Sequence, residues 1–119
     1  MKRFLSTLLL ATVACLTHAQ NVTYNGTQPA VIIDVRTPQE FASGHIAGAI
    51  NIPHERISES VAGLKGITKT SPVLLYCRSG KRSGIAKSAL ERQGFTHVIN
   101  GGSLDETNSK LKTCASPAC

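Results

Sequence analysis

The chain has 119 residues, which is enough for one compact domain and too few for two. Thirteen lysines and arginines against seven acidic residues give a net charge of +6, but the only dense basic cluster is Arg78, Lys81 and Arg82. Because no basic stripe interleaves with aromatic residues, the composition argues against a nucleic-acid-binding protein and favours a local site for a small anion.

Residues 1–19 have the features of a secretory signal peptide. A basic start is followed by an uncharged run over residues 4–16, which is too short for a comfortable membrane span, and Ala19 suits the cleavage site. Lipid attachment at Cys15 is the alternative, but Thr12 stands where a lipoprotein signal usually carries leucine. We therefore predict cleavage after Ala19, a periplasmic or secreted protein, and no stable membrane anchor in the mature chain.

Removal of the signal peptide leaves three of the four cysteines, Cys77, Cys114 and Cys119. An odd number of cysteines in an exported protein indicates that one thiol stays free. Cys114 and Cys119 lie in the tail CASPAC and can close a short disulfide loop, which leaves Cys77 as the free thiol. An interaction between a tail thiol and Cys77 is the alternative.

The first predicted elements of the mature chain lie between residues 20 and 44. Residues 20–29 are polar and contain a turn signal, so we expect an extended, loosely held segment. The β-branched run at residues 31–35 is typical of a strand buried on both faces. The sequence TPQE at residues 37–40 has the N-cap, the proline and the glutamate of a capping box, which predicts a short helix ending at Gly44.

A second strand and a second helix are predicted in the middle of the chain. Residues 49–53 read as a short strand that is closed by a proline. Three apolar residues then recur at helical spacing, which predicts a helix that ends near Gly63 or Gly66. These residues are Ile57, Val61 and Leu64.

The last predicted elements surround Cys77. Residues 73–76 read as a second buried strand, and residues 97–99 as a final strand. Between them, an apolar stripe predicts a helix that ends at a C-terminal cap on Gly94. The stripe comprises Ile85, Ala86, Ala89 and Leu90. We expect Gly101-Gly102 to end the last strand and to lead into a tail over residues 105–119.

Strands that alternate with helices predict an α/β fold with a mostly parallel central sheet and helices on both faces. The predicted domain covers residues 30–104, with the segment 20–29 before it and the tail 105–119 after it.

Cys77 is the best candidate for a catalytic residue. In this class of fold, ligands bind beyond the carboxyl ends of the strands, and Cys77 directly follows the strand at residues 73–76. The next residues must turn sharply into a helix, and the N–H groups of such a turn can point inward and bind an anion. A thiolate at a helix N-terminus among cations has a lowered pKa. A buried structural cysteine is the alternative, but three cations would be a poor lining for an apolar pocket.

Two motifs resemble a known family. The stretch IIDVRTPQEFASGHIAGAINIP, residues 32–53, resembles the signature of rhodanese-like domains, and the pattern C-x-x-G-x-x-S at residues 77–83 resembles their active-site loop. The resemblance covers residues 30–104 and is strongest to small exported single-domain sulfurtransferases. Many rhodanese domains continue from the glycine pair at 101–102 to a tryptophan, which this chain lacks.

The resemblance implies a thiosulfate:cyanide sulfurtransferase that works through a persulfide on Cys77. The partners would be a small anionic sulfur donor such as thiosulfate and a thiol or cyanide acceptor, with no cofactor and no metal. Independently of the resemblance, we expect a monomer. The substrate-binding loop would comprise Arg78, Ser79, Gly80, Lys81, Arg82 and Ser83. Arg82 is the first choice for the anion contact, because a guanidinium can hold an oxyanion through two hydrogen bonds.

Several other polar residues are interpreted as structural. We expect Asp34 to accept N–H bonds from a loop or the backbone and Arg36 to pair with Glu40, since buried charges persist only when they are paired. His45 is expected to make a local structural bond. No Cys/His spacing in the chain matches a zinc site.

Two other functions remain open from the sequence. Phosphatases and arsenate reductases that share the fold use a C-x5-R loop, whereas in this chain the residue six positions after Cys77 is Ser83 and Arg82 is only five positions after it. The shorter loop suits a single persulfide sulfur better than a tetrahedral oxyanion. A sulfur carrier or binding module that acts on a protein thiol is the more serious alternative.

Overall fold

The computed structural model describes residues 21–114, which form six strands and four α-helices. The strands are β1 (Asn21–Tyr24), β2 (Val31–Asp34), β3 (Ile50–Asn51), β4 (Val73–Cys77), β5 (Val98–Ser103) and β6 (Leu111–Cys114). The helices are α1 (Pro38–Ala42), α2 (Ile57–Ser60), α3 (Lys81–Arg92) and α4 (Leu104–Lys110). The predicted signal peptide lies outside the described residues, as does Cys119 of the predicted Cys114–Cys119 disulfide. No helix in the described part is long and apolar enough to cross a membrane.

Four strands form a parallel sheet in the order β3-β2-β4-β5. The register places Ile33 of β2 beside Leu75 of β4, and Leu75 beside Asn100 of β5. The central strand β4 is buried along its whole length, as expected for a continuous apolar run with helices on both sides. The predicted α/β fold with a parallel sheet is confirmed.

The sheet separates two apolar clusters, because successive side chains of a strand point to opposite faces. Leu75 and Cys77 belong to one cluster, together with residues of α2 and α3. Leu74 and Tyr76 belong to the other, against which Phe41 of α1 packs. Full burial of one leucine side chain contributes about 1.5–3 kcal/mol, so the packing of helices on both faces stabilises the sheet that positions Cys77.

The capping box before α1 is confirmed. The Thr37 hydroxyl accepts a hydrogen bond from the Glu40 amide at 3.2 Å, and the Glu40 carboxylate accepts one from the Thr37 amide at 3.1 Å. These two bonds satisfy N–H groups that the first turn of a helix leaves without backbone partners. The helix ends at Ala42, shortly before Gly44.

Two predictions about helices need correction. The segment after residue 53 is not one helix, because α2 is a single turn between the 3₁₀ turns His54–Arg56 and Val61–Gly63. Within α3, Ala86 and Leu90 are buried as predicted, but Ile85 is 50% exposed. Ala89 packs against the same apolar cluster, so only Ile85 of the predicted stripe lies off the packed face.

The glycine pair at 101–102 does not end the last parallel strand. β5 continues through it to Ser103, and α4 begins at the next residue. Gly101 lies so close to the Thr107 side chain of α4 that any Cβ there would collide with it. The pair therefore allows α4 to pack directly on the sheet.

The segment expected to be loosely held is paired with a strand of the predicted tail. β1 and β6 form an antiparallel ladder in which Tyr24 lies opposite Leu111. Tyr24 is buried, and Leu111 packs against the same apolar cluster. The expectation of a loosely held segment at residues 20–29 is wrong for β1, because its partner strand lies at the far end of the described chain.

Candidate active site

The sulfur of Cys77 lies at the carboxyl end of β4, beneath a tight turn. The strand includes Cys77, so the residue closes the strand rather than following it as predicted. The turn leads into α3 through Gly80, whose φ of 90° is a conformation that glycine adopts readily. The Gly80 amide donates a hydrogen bond to the Cys77 Sγ atom at 2.9 Å. The backbone thus aims a donor at the fully buried sulfur.

The surroundings of Cys77 lower the pKa of its thiol. Burial by itself raises this pKa, because a buried thiolate loses the solvation of water. Hydrogen bonds from the Ser83 hydroxyl and from the amides of Ser83, Ser79 and Gly80 outweigh that effect, and the resulting pKa lies below the ordinary value of 9.0. The site therefore favours the thiolate, which is the nucleophilic form of cysteine.

Asn100 on β5 contacts the loop from the neighbouring strand. Its Nδ2 donates to the Gly80 carbonyl at 3.0 Å, and its Oδ1 accepts from the Ser83 hydroxyl at 2.6 Å and from the Gly102 amide at 3.0 Å. Ser83 Oγ also lies 3.3 Å from Cys77 Sγ. Asn100 was not predicted from the sequence, in which its position before the glycine pair at 101–102 is the only signal that distinguishes it.

Arg82, the first choice for the anion contact, forms an ion pair with Glu40. Its two terminal nitrogens donate to the two carboxylate oxygens of Glu40 at 2.7 and 2.9 Å. Hydrogen bonding to Arg82, opposed by burial and assisted by Thr37, lowers the pKa of Glu40 to about 2. The side chains of Arg78 and Lys81 are exposed and make no hydrogen bond or ion pair with other described residues. Those two cations are the ones that a solute anion can reach without breaking an ion pair.

The predicted pairing of Arg36 with Glu40 is wrong. Arg36 instead donates from Nε and a terminal nitrogen to the carboxylate of Asp34, at 3.0 and 2.7 Å, and to the Gly44 carbonyl at 2.7 Å. The fully buried Asp34 carboxylate also accepts the Arg36 amide at 2.9 Å, which confirms its predicted backbone bond. An unpaired charge costs more free energy at the fully buried Asp34 than at the partly exposed Glu40. This difference explains why Arg36 pairs with Asp34.

His45 makes the local structural bond that was predicted. Its Nδ1 lies 2.9 Å from the Phe41 carbonyl, and its ring stacks on that of Phe41 with 3.6 Å between ring centres. Among residues 21–114, no group of three or more histidine, cysteine or acidic side chains is arranged to hold a metal ion.

Comparison with known proteins agrees with this geometry. The family model described as "Rhodanese-like domain" matches residues 18–105. The chain is 42% identical to "Thiosulfate sulfurtransferase PspE" of Escherichia coli (strain K12) over 74 residues, which is 62% of this chain and 70% of the relative. It is 39% identical to "Uncharacterized protein YqhL" of Bacillus subtilis (strain 168) over 88 residues, 73% of this chain and 68% of the relative. A solved structure described as "rhodanese with anions from E. coli" is similar with a TM-score of 0.62 and 37% identity, over 71% of this chain and 98% of that one.

Proposed function

This chain belongs to the rhodanese-like domain family, and on that basis we propose that it is a sulfurtransferase that moves the sulfane sulfur of thiosulfate to cyanide or a thiol through a persulfide on Cys77. The observation that carries the proposal is the set of N–H groups around Cys77 Sγ, above all the Gly80 amide at 2.9 Å. A relative at 42% identity is named a thiosulfate sulfurtransferase, which supports the same donor for this chain.

The first half-reaction is an attack by the Cys77 thiolate on the outer sulfur of thiosulfate. A new S–S bond forms to Cys77 while the S–S bond of thiosulfate breaks, and sulfite leaves with the electron pair of that bond. Covalent catalysis of this kind divides one difficult transfer into two easier ones. The lowered pKa of Cys77 supplies the thiolate, so no separate general base is required.

The second half-reaction removes the stored sulfur. Cyanide or a thiolate attacks the terminal sulfur of the persulfide, the S–S bond to Cys77 breaks, and the Cys77 thiolate is restored. Hydrogen bonds from the amides of Ser79, Gly80 and Ser83 would stabilise the negative charge on sulfur in both half-reactions. Because these donors are backbone groups fixed by the start of α3, little reorganisation accompanies the charge movement.

The cations of the loop have separate roles in this proposal. Arg78 and Lys81 attract the dianionic donor and offset the charge that develops on sulfite, since both are exposed and free of ion pairs with the described residues. Arg82 contributes positive charge beside Cys77, but Glu40 occupies both of its terminal nitrogens. We therefore assign the anion contact to Arg78 and Lys81 ahead of Arg82.

The proposal is tested by replacing the nucleophile. Cys77→Ser should abolish sulfur transfer from thiosulfate to cyanide or to a small thiol, because a serine hydroxyl does not ionise near neutral pH and cannot store a sulfane sulfur. Wild-type protein treated with thiosulfate should carry one added sulfur on the tryptic peptide that contains Cys77, measured by mass spectrometry. Circular dichroism should show that the variant is folded.

Cys114→Ser is the matched control and should keep full activity. Sulfur found on Cys114 or Cys119, or full activity in Cys77→Ser, would contradict the assignment. A persulfide on Cys77 that transfers to a thiol but never to cyanide would limit the acceptor to thiols and favour the sulfur-carrier alternative.

A further inference from the structure

The hydroxyl group of Ser83 has one hydrogen and lies between two acceptors. One is Asn100 Oδ1 at 2.6 Å, and the other is Cys77 Sγ at 3.3 Å. A hydroxyl donates only one hydrogen bond at a time but can also accept. While Ser83 donates to Asn100, the contact with sulfur can be a hydrogen bond only if Cys77 is the donor, which requires the neutral thiol.

We propose that Asn100 is a positioning residue that controls how readily Cys77 ionises, by competing with the sulfur for the hydroxyl hydrogen of Ser83. In the neutral state, the Cys77 thiol donates to Ser83 Oγ, and Ser83 donates to Asn100 Oδ1. When Cys77 loses its proton to solvent, the Ser83 hydroxyl rotates and donates to the thiolate. Asn100 Oδ1 then keeps only the Gly102 amide, which lies at 3.0 Å.

The Nδ2 atom of Asn100 contacts the turn between Cys77 and α3. Nδ2 donates to the carbonyl of Gly80, the residue whose own amide donates to Cys77 Sγ. A Cβ on Gly80 would lie 3.3 Å from Gly102 Cα, so the loop and β5 are in close contact. This contact keeps Asn100 within hydrogen-bond distance of both Gly80 and Ser83. One side chain on β5 thus contacts two residues that donate to the sulfur.

The charged groups around the sulfur come from several elements. Arg82 of α3 interacts electrostatically with Cys77, and Glu40 of α1 offsets its charge. The Asp34–Arg36 pair lies at the end of β2, and Glu106 of α4 packs on Gly102. Arg78 of the turn and Lys81 at the start of α3 are further cations in this region. None of these groups is altered by a change at Asn100, so their contributions remain in every Asn100 variant.

The test measures the ionisation of Cys77 directly. The rate of iodoacetamide alkylation of the full chain is followed against pH, and the product is quantified on the tryptic peptide that contains Cys77. Asn100→Asp should raise the pH midpoint by about one unit, because a carboxylate holds the Ser83 hydrogen more strongly and places a like charge near the sulfur. Asn108→Asp, an exposed change on α4, should leave the midpoint unchanged.

A double-mutant cycle separates competition for the hydrogen from simple charge repulsion. In a Ser83→Ala background no hydrogen is shared, so Asn100→Asp should raise the midpoint by less than half as much. Equal shifts in the two backgrounds would overturn the proposal. Asn100→Ala provides a second cycle that introduces no charge. The shift of the midpoint caused by Asn100→Ala should be more negative when Ser83 is present than in the Ser83→Ala background. Equal shifts in the two backgrounds would also overturn the proposal.

An effect of Asn100 on turnover rests on the proposed function, whereas its effect on the ionisation of Cys77 does not. Alkylation requires a thiolate but no sulfur donor, so the cycle gives the same answer whether or not the protein transfers sulfur. A protein without sulfurtransferase activity that still shows the coupling would refute the proposed function and leave the role of Asn100 intact.

Discussion

At the scale of single residues, the candidate site combines a cysteine whose position was predictable with neighbours that were not. Cys77 and Gly80 were identified because a cysteine at a strand end and a glycine in the following turn carry local signals. The partners of the charged residues depend on which groups the fold buries. Asp34 is fully buried, so Arg36 pairs with it and leaves Glu40 to Arg82.

The Asp34–Arg36 pair gives a prediction for stability. Arg36→Ala leaves the Asp34 carboxylate buried and without its cation, which should lower the free energy of unfolding by about 3–5 kcal/mol. Urea denaturation followed by circular dichroism measures this change. Adding Asp34→Asn to the Arg36→Ala variant should recover part of the lost stability, because the buried charge is then absent.

Arg92→Ala is the matched control, since Arg92 is exposed at the end of α3. Its effect should lie within about 0.5 kcal/mol of zero. A loss in Arg36→Ala no larger than in Arg92→Ala would show that water screens the carboxylate in the folded protein.

At the scale of elements, the Glu40–Arg82 pair joins the first turn of α1 to the first turn of α3, directly after the turn at residues 78–80. Both side chains are only partly exposed, and the contact uses both carboxylate oxygens. The capping box fixes Glu40 at the start of α1, so the same carboxylate serves its own helix and the next one. The start of α3 is thereby attached to a helix that lies far from it in the sequence.

This contact should make stability depend on acidity. The pKa of Glu40 in the folded protein is about 2, below its ordinary 4.5, so the pair stabilises fully above about pH 4.5 and its contribution disappears as the pH falls towards 2. Glu40→Gln should lower the free energy of unfolding at pH 7 by about 1–2 kcal/mol, since a partly exposed pair is screened by water. The difference from wild type should shrink below pH 4.

Urea titrations at a series of pH values measure this difference. Glu59→Gln, an exposed change on α2, should behave like wild type across the series. A gap between Glu40→Gln and wild type that stayed constant from pH 7 to pH 2 would contradict the assignment.

The sequence predicted elements well where the signal was local. The capping box at 37–40 and the buried runs of β2 and β4 each identify an element without reference to the rest of the chain. Ile85 shows the limit, because an apolar residue at helical spacing is not necessarily on the packed face. A single asparagine such as Asn100 belongs to no periodic pattern, so its contacts became evident only when β5 was placed beside β4.

At the scale of the whole molecule, a parallel sheet positions the site and an antiparallel ladder joins the two ends of the described chain. The parallel sheet was predictable because its strands alternate with helices. The ladder was not, since β1 and β6 are short and polar and each gains its partner only after the chain has folded back. The side of the ladder that contacts the parallel sheet is apolar, because Tyr24 packs in the apolar cluster on one face of that sheet.

The ladder also has a consequence for the order of folding. β1 and β6 are separated by nearly the whole described chain, so pairing them early would close the largest loop available and incur the greatest entropy loss. Contacts between β2 and β4 close a much shorter loop and bury more apolar surface. The parallel sheet should therefore form in the transition state, with the ladder added afterwards.

Folding kinetics test this order. Tyr24→Leu should speed unfolding and leave the folding rate nearly unchanged, with a φ-value near 0, whereas Leu74→Ala in β4 should slow folding, with a φ-value of about 0.5 or more. Stopped-flow measurements across a urea series give both rates for each variant. Equal φ-values at Tyr24 and Leu74 would mean that the ladder is already present at the barrier. If the ladder forms last, it also opens first, so β1 and β6 separate many times while the hydrogen bonds around Cys77 remain formed.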